Sequence, residues 1–504
     1  MLNSVVLFYY KQKFVKKCID LYCLLWYIIL SLYVCQTGRL NEPVLERAEG
    51  KMKSTTKDLT KGNPTKLILG FAIPMLLGLL FQQFYSMSDA IIVGKWLGVT
   101  SLAAVGSTGS INFMVIGFCT GVCSGFAIPV SRCFGAGNHT DMRRYVANII
   151  RVGIVMAAII TVTVSLLCRS ILVLMRTPDD IINEAYSYIF IIFLGIPVTF
   201  LYNMAAGLIR ALGDSKTPLY FLLLSAGLNI VLDIISVGVL GLGIMGPAIA
   251  TVISQAISGI TCLIFMIKKF PILHVGKEER PLSWHHIKIL LSSGLPMGLQ
   301  YSITAIGTVI LQTSVNTLGS LYVASVTAAG RVNMFFCCVF DSLGGTMATY
   351  SSQNIGAEKP ERITSGLKSA LIIGASYCVI AALILCFFGK YIALLFMDPG
   401  ETEILNNVQK FLTANSLSYV LLLGINVFRF SIQGIGYSSL AVFAGVAEMI
   451  ARCIMGFVLV PIFAYNAVCF ANPLAWLFAD LFLVPTYIIC LKKVKSKFLK
   501  KPST

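Results

Sequence analysis

Long apolar segments alternate with short polar connections along most of this chain. Twelve such segments follow residue 60, each close to the length of about 20 residues that a helix needs to cross a bilayer. The pattern therefore predicts an all-α polytopic membrane protein. The predicted spans are 66–92, 101–130, 145–168, 182–207, 218–238, 244–267, 288–312, 322–350, 367–389, 405–432, 439–464 and 468–491.

Composition and charge support a membrane protein. Of 504 residues, 57% are hydrophobic and only 12% are charged, and a chain of this length is too long for one soluble core. The formal net charge is +17, but the Lys and Arg residues cluster in alternate connections rather than on one face. The positive-inside rule then places these connections and both ends of the twelve-span unit in the cytoplasm. We expect a monomer in the cell membrane, embedded in the lipid bilayer, with no nucleic-acid partner.

The chain lacks the patterns of an enzyme or a resident cofactor. Most of its 15 cysteines lie inside apolar segments, where cysteine behaves as a small hydrophobe. No Cys or His spacing is typical of a metal site, and no span groups a nucleophile with a base. We therefore predict a protein that is not an enzyme and holds no cofactor.

Residues 1–51 form an N-terminal extension with three open interpretations. A basic stretch, KQKFVKK, precedes the apolar stretch CIDLYCLLWYIILSLYVC, but no clean cleavage site follows. The extension is an extra helix, a poorly cleaved signal, or an upstream addition from a wrong start codon. We favour the third interpretation, because Met52 opens a compact basic lead to the first span.

Three short motifs recur in the same order about 220 residues apart. FAIPMLLG around Pro74 matches SGLPMGLQ around Pro296, and SLAAVGSTGSINFM around Asn112 matches YVASVTAAGRVNMF around Asn333. The third pair is VSRCFGAGN and YSSQNIGAEK. Each half holds six spans, an even number, so the halves share one orientation and are related by a pseudo-two-fold axis along the membrane normal, with a binding cavity where they meet.

The duplication divides the chain into lobes. The predicted units are an N-terminal six-helix lobe at 52–270, a cytoplasmic linker at 271–284, a C-terminal six-helix lobe at 285–491 and a basic cytoplasmic tail at 492–504.

One apolar stretch, LNIVLDIISVGVLGLGIMGPAIAT, contains Asp233. A carboxylate at the centre of a membrane helix costs about 2.5 to 3.5 kcal/mol, so it needs a partner, a proton or a cavity. Asn229 lies four residues earlier on the same helix face, and Asp89 and Thr251 fall at a similar depth on two other spans. These four side chains suit a proton or a hard cation. The alternative is a structural cluster of interhelical hydrogen bonds.

Several motifs together resemble the multidrug and toxic compound extrusion (MATE) family of transporters. They are LIRALGDSKTPL at 208–219, LNIVLD at 228–233, the GAG and GAE turns and the duplicated halves. The resemblance implies a secondary active antiporter that exports amphipathic, often cationic, organic compounds in exchange for H⁺ or Na⁺ by alternating access of two lobes.

The resemblance also implies functional residues. Family members that couple through the N-terminal lobe use an Asp on the first helix, an Asn and an Asp four apart on the fifth, and a Thr on the sixth. Asp89, Asn229, Asp233 and Thr251 occupy these places, and they would hold Na⁺ if Na⁺ is the coupling ion. Asn203 on the fourth helix is a further candidate.

Another branch of the family uses a Glu on the seventh helix and an Asp on the tenth. This chain carries Gln300 and Thr304 after Pro296, and no acid falls between Phe411 and Phe443. We therefore expect coupling through the N-terminal lobe.

Other residues in the spans carry weaker hypotheses. Glu448 and Arg452, four residues apart, are interpreted as a mutually neutralising pair, and Asp341 as structural. A plastic aromatic cavity suits flat organic cations, although such residues also build ordinary cores. Its candidate lining is Gln82, Tyr85, Met87, Tyr301, Met334 and Phe335.

A flippase for a lipid-linked precursor is the alternative function. Its pyrophosphate substrate would require several Lys or Arg residues in the cavity. The N-terminal half has few of them away from its ends, which disfavours this alternative.

Overall fold

The computed structural model of the protein describes residues 56–175, 177–394 and 401–499. The extension at 1–51, the proposed start at Met52 and the last residues of the tail lie outside the described residues. The described helices are α1 (Pro64–Leu97), α2 (Val99–Gly135), α3 (His139–Leu174), α4 (Ile182–Leu194), α5 (Ile196–Ala211), α6 (Lys216–Asp233), α7 (Met245–Lys269), α8 (Trp284–Asn316), α9 (Ser320–Gly356), α10 (Pro360–Ala393), α11 (Thr402–Leu417), α12 (Tyr419–Gly434), α13 (Ser438–Ile454), α14 (Val460–Phe463) and α15 (Tyr465–Leu499).

The prediction of an all-α protein with twelve spans is confirmed. Within the described residues, ten spans are long and apolar enough to cross a membrane, and two bent helix pairs complete the twelve. Most helices run several residues beyond the predicted apolar limits, because polar residues outside the bilayer extend and cap them. The side chain of Asn63, for example, accepts hydrogen bonds from the backbone N–H groups of Thr65 and Lys66 at the start of α1.

The fourth and tenth spans are broken, whereas the sequence predicted each as continuous. α4 and α5 meet at an angle of 44°, and α11 and α12 meet at 48°. The first break falls at Gly195, just before Pro197. Proline has no N–H to donate to the preceding turn, so it favours a new helix start. Ser418 marks the second break. Both breaks fall at the same position in the repeat.

The two halves repeat each other in backbone detail. α2 and α9 each contain 37 residues and follow a glycine with positive φ, Gly98 at 91° and Gly319 at 107°. A widened π-helical turn follows α6 at Ile234–Val239 and follows α13 at Met455–Leu459. The duplication predicted from three short motifs therefore extends to whole helices.

α2 ends at Gly135 and α9 ends at Gly356 on the same side of the molecule. This side is here called the basic side. There the two halves are packed together with almost no space between α2 and α8. A Cβ built on Gly125 would lie 2.6 Å from the Cα of Gly294, so only glycine permits this approach.

Hydrogen bonds also join the halves on the basic side. The Ser131 hydroxyl donates to the Thr349 carbonyl (3.3 Å), and the Ser352 hydroxyl donates to the Ile128 carbonyl (2.7 Å). The completely buried Gln353 donates to the carbonyl of Ala211 in the first half (2.9 Å). The structure is therefore closed on this side.

A short segment before α1 contacts both halves where they close. The Leu59 N–H donates to the Gln353 side-chain oxygen (2.9 Å), and the Lys57 N–H donates to the Leu212 carbonyl (3.2 Å). Arg362 of α10 donates to the carbonyl of Gly62 (3.0 Å). One segment thus touches both halves at their line of contact.

Candidate cation-coupling site

Asp233 is the last residue of α6 before the π-helical turn Ile234–Val239. Its side chain is completely inaccessible to solvent, and both carboxylate oxygens lack a hydrogen-bond partner among the described residues. A buried polar group without a partner is costly. Asp233 therefore has the properties of a group that binds a proton or a cation.

Close packing around the π-helical turn positions the neighbouring helices. The Trp96 indole at the end of α1 occupies the space where Gly238 would carry a side chain, since a Cβ there would lie 2.0 Å from Cζ3. Gly246 at the start of α7 likewise packs against Ser236. The turn after Asp233 thus holds the end of α1 and the start of α7 around the same point.

Asn229 and Thr251 meet in the structure. The Asn229 side-chain nitrogen donates to the Thr251 hydroxyl across 3.2 Å, which joins α6 to α7. Asn229 is buried, and its side-chain oxygen has no hydrogen-bond partner. The amide is therefore oriented with its nitrogen toward Thr251 and its carbonyl oxygen available to a ligand.

Asp89 approaches the same region from α1. It interacts electrostatically with Asp233, and the Tyr188 hydroxyl of α4 interacts with its carboxylate. Its Oδ1 atom is buried without a hydrogen-bond partner. Tyr85, one helical turn earlier on α1, also interacts electrostatically with both acids.

The chemistry of the site favours a positively charged ligand. Four buried oxygen atoms, from Asp89, Asn229 and both positions of Asp233, have no hydrogen-bond partner. Within the described ranges, no Lys or Arg lies within 4.0 Å of either acid. Oxygen atoms are the ligands of hard cations, and two adjacent carboxylates also favour protonation of one of them.

The remaining predicted residue, Asn203, is placed differently. Its side-chain nitrogen donates to the Thr199 carbonyl of its own helix (2.9 Å). No hydrogen bond in the described part of the chain joins Asn203 to Asp89, Asn229 or Thr251, so its contribution stays a prediction.

Sequence reasoning missed Tyr188. It lies in INEAYSYIF, an apolar stretch of α4. The available signal was its hydroxyl, since a buried tyrosine hydroxyl usually finds a hydrogen-bond partner. The partner acid, however, is 99 positions away in sequence, from residue 89 to residue 188.

The corresponding part of the second half combines arginines with acids. Glu448 accepts a hydrogen bond from Arg429 and forms an ion pair with Arg452 at 3.6 Å. All three side chains are buried, and Asp480 of α15 interacts electrostatically with Arg429 and Glu448. The predicted pair Glu448–Arg452 is thus incomplete, because Arg429, on another helix, shares the same carboxylate.

Two guanidinium groups in this position repel a cation. Gln300, which stands where another branch of the family carries an acid, accepts a hydrogen bond from Gln433 (2.7 Å). Some buried atoms of this cluster lack a hydrogen-bond partner, among them Asp480 Oδ1, Arg429 Nε and Arg452 Nη1. The difference from the first half is that Glu448 is paired with arginines, whereas Asp233 forms no ion pair with a described residue.

The predicted cavity residues fall in two places. Phe335 of α9 meets Phe84 of α1 with ring centroids 5.4 Å apart, and Tyr301 of α8 meets Phe113 of α2 at 6.4 Å. These aromatic pairs join the halves between α1, α2, α8 and α9. Tyr85 belongs with the acids, as described above. Of the other candidates, Gln82 and Met334 are exposed and Met87 is half-buried.

The fold and the repeat identify the class of protein as a duplicated, all-helical membrane protein. A model of the MatE family matches residues 74–235 and 296–458, one match in each half. The chain belongs to this family of MATE transporters, which are not enzymes. The resemblance noted from the sequence is thus confirmed.

Individual relatives have low sequence identity to this chain, but the matches cover most of its length. The chain is 28% identical over 339 residues to a probable multidrug resistance protein, YoeA, of Bacillus subtilis, which covers 66% of this chain and 73% of that protein. It is 22% identical over 413 residues to the multidrug export protein MepA of Staphylococcus haemolyticus, covering 82% and 89%.

The solved structures agree in fold. An outward-facing multidrug resistance MATE transporter superposes with a TM-score of 0.82 at 22% sequence identity, covering 88% of this chain and 99% of that one. At this identity the likeness establishes the twelve-helix architecture.

Proposed function

We propose that the protein is a secondary active antiporter of the cell membrane that exports amphipathic, cationic organic compounds in exchange for H⁺ or Na⁺. The observation that carries the proposal is the pair of acids in the first half. Asp233 is completely buried with both oxygens unpartnered, and Asp89 interacts with it. An ionised pair in this position is unstable without an added proton or cation.

The coupling cycle follows from this instability. A proton or Na⁺ that enters from outside neutralises the site and stabilises the conformation in which it binds. The substrate, which enters from the cytoplasm, stabilises the opposite conformation and discharges the cation. Because linked binding is reciprocal, the inward flow of the cation drives the outward flow of the substrate.

Alternating access requires the basic side to open and close. We propose that this side faces the cytoplasm, because of its Lys and Arg residues, and that the structure corresponds to an outward-facing state. Opening would separate α2 from α8 and break the bonds of Ser131, Ser352 and Gln353. The lobes would move as largely rigid bodies.

The substrate class rests on the family and on the aromatic residues between the halves. Both relatives named above carry multidrug names, and the faces of Phe84, Phe335, Phe113 and Tyr301 suit flat cations. A flippase is disfavoured, because Arg429 and Arg452 are engaged with Glu448 rather than available to a pyrophosphate.

Purified protein in liposomes tests the proposal. Ethidium transport is followed by fluorescence under an imposed H⁺ gradient, an imposed Na⁺ gradient, or neither. Gradient-dependent transport by one of the two ions is expected. Transport that ignores both gradients, or no transport of any cationic dye, would overturn the proposed function.

A further inference from the structure

Asp341 of α9 lies in a membrane span and is exposed, although its neighbours Phe340 and Ser342 are buried. Three further residues of α9 are exposed at intervals of four, three and seven positions, namely Thr327, Arg331 and Met334. This spacing places all four on one face of the helix. Two charged residues on that face are incompatible with contact to lipid tails.

The face is directed toward the first half. Asp341 interacts electrostatically with Tyr301 of α8. Tyr301 in turn packs against α2, since a Cβ on Gly117 would lie 3.2 Å from its Cβ. One turn after Asp341, a Cβ on Gly345 would lie 2.3 Å from Met75 of α1. Asp341 therefore lies in the cleft between the halves, just beyond the point where they close.

The depth of Asp341 fits a site inside the bilayer. It lies 15 residues before Gly356, the end of α9 on the basic side, which corresponds to about 22 Å at 1.5 Å per residue. This distance is well inside a hydrocarbon core of about 30 Å flanked by headgroups.

Asp341 forms no ion pair with a described residue. Among the described residues, no Lys or Arg lies within 4.0 Å of its carboxylate. Arg210 and Arg429 interact electrostatically with Tyr301, but neither forms an ion pair with Asp341, and Arg429 is paired with Glu448. An exposed, unpaired carboxylate at this depth needs a mobile positive charge.

We propose that Asp341 is the counter-ion for the cationic centre of the exported compound, which binds in the cleft beside Tyr301. This inference rests on the proposed function and assigns its substrate anchor. The aromatic ring of Tyr301 and its neighbour Phe113 (6.4 Å between centroids) would contact the apolar body of the same compound.

Only the second half of the repeat carries this carboxylate. The register that aligns Asn112 with Asn333 pairs Asp341 with Thr120 of α2. The first half thus offers a neutral hydroxyl where the second half offers a carboxylate. The coupling acids Asp89 and Asp233 belong to the first half, so substrate and coupling cation occupy different lobes and meet different carboxylates.

Binding of tetraphenylphosphonium to the purified full chain, measured by calorimetry, tests the anchor, with neutral triphenylphosphine oxide as the uncharged comparison. Asp341→Asn should weaken tetraphenylphosphonium binding at least tenfold and leave the neutral compound within about twofold. Asp341→Glu, which keeps the charge, should restore most of the affinity. Thr327→Asn is the matched control, since it introduces the same amide at an exposed position on the same helix face.

A second neutral variant, Asp341→Ser, is included in case Asp341→Asn does not fold. Each protein must be monodisperse on size-exclusion chromatography. Unchanged tetraphenylphosphonium affinity in a folded neutral variant would overturn the anchor while leaving the proposed function intact. Failure of the unmodified protein to bind or transport any organic cation would overturn both. Equal weakening of binding of the charged and the neutral compound would also overturn the anchor, because it would show that the substitution changed the shape of the site rather than its charge.

Discussion

The side-chain nitrogen of Asn229 donates to the hydroxyl of Thr251 across 3.2 Å, and the side-chain oxygen of the same Asn229 is buried without a partner. The hydrogen bond directs the nitrogen end of the amide toward Thr251. In the proposed coupling site, this contact between α6 and α7 would position the Asn229 oxygen for a cation.

Removal of the Thr251 hydroxyl should weaken the coupling site without destroying it. Thr251→Val keeps the shape but frees the Asn229 amide to rotate, so we expect the concentration of H⁺ or Na⁺ for half-maximal transport to rise about tenfold, or about 1.4 kcal/mol. Liposome transport at graded cation concentrations measures this. Thr261→Val is the control, since its hydroxyl bonds only to carbonyls of its own helix. Equal effects of both variants would contradict the assignment.

Glu448 should be essential to folding because two arginines share it. Glu448→Gln leaves Arg429 and Arg452 buried with only Asp480 nearby, and the loss of a buried ion-pair partner costs about 3–5 kcal/mol. We expect a large fall in thermal stability in detergent. Glu361→Gln is the control, since its ion pair with Lys495 is exposed and should contribute little.

The same arrangement predicts the outcome of a charge swap. If Glu448 paired with Arg452 alone, Glu448→Arg combined with Arg452→Glu would restore stability. Because Arg429 also binds Glu448, the swap places two guanidinium groups together, and it should remain as unstable as Glu448→Gln. Full recovery in the double variant would show that Arg429 contributes nothing.

Glycine at position 125 should be required for closure of the basic side. Gly125→Ala introduces a Cβ 2.6 Å from the Gly294 Cα and should hold α2 away from α8. Cysteines introduced at Ser131 and Thr349, which meet in the closed state, should then form a disulfide several-fold more slowly. Gly109→Ala, where a Cβ meets nothing within 4 Å, should leave the rate unchanged. A fast disulfide in Gly125→Ala would contradict the closure.

Hydrogen exchange in the segment before α1 should depend on the same closure. Gln353→Ala removes the acceptor of the Leu59 N–H and the donor to the Ala211 carbonyl. The Leu59 amide should then exchange hydrogen for deuterium at least tenfold faster, which mass spectrometry detects. Gln312→Ala is the control, because Gln312 bonds only to Asn316 of its own helix. No change in exchange would show that Gln353 does not hold the segment.

Sequence patterns predicted the helices well because the bilayer imposes one length and one polarity on every span. The breaks at Gly195 and Ser418 were not predicted. Pro197 is a local signal for the first break, whereas no proline lies beside Ser418, so that bend required the structure. Residues four apart on one helix, such as Asn229 and Asp233, follow from helical geometry.

Contacts between distant helices require the structure. The Tyr188 hydroxyl and the Asp89 carboxylate share no local pattern, and the same holds for Arg429 and Glu448, which lie on separate helices. Asp341 was interpreted from the sequence as structural, and the structure adds that it is exposed and forms no ion pair with a described residue. Burial and pairing, which decide the role of a charge, depend on tertiary packing.

Asp233 carries the coupling in the proposed mechanism, and Asp233→Asn tests this role most directly. Asn keeps the shape but cannot exchange a proton or neutralise a cation, so expression and folding should stay near those of the unmodified protein. Asp89→Asn should behave similarly, and Asp180→Asn in an exposed connection should have no effect.

The decisive measurement is ethidium efflux from energised vesicles, normalised to the amount of folded transporter. In Asp233→Asn, efflux should no longer respond to an imposed H⁺ or Na⁺ gradient, whereas the unmodified protein and Asp180→Asn should respond fully. Gradient-driven efflux at the unmodified rate in Asp233→Asn would contradict the account and return this carboxylate to a structural role.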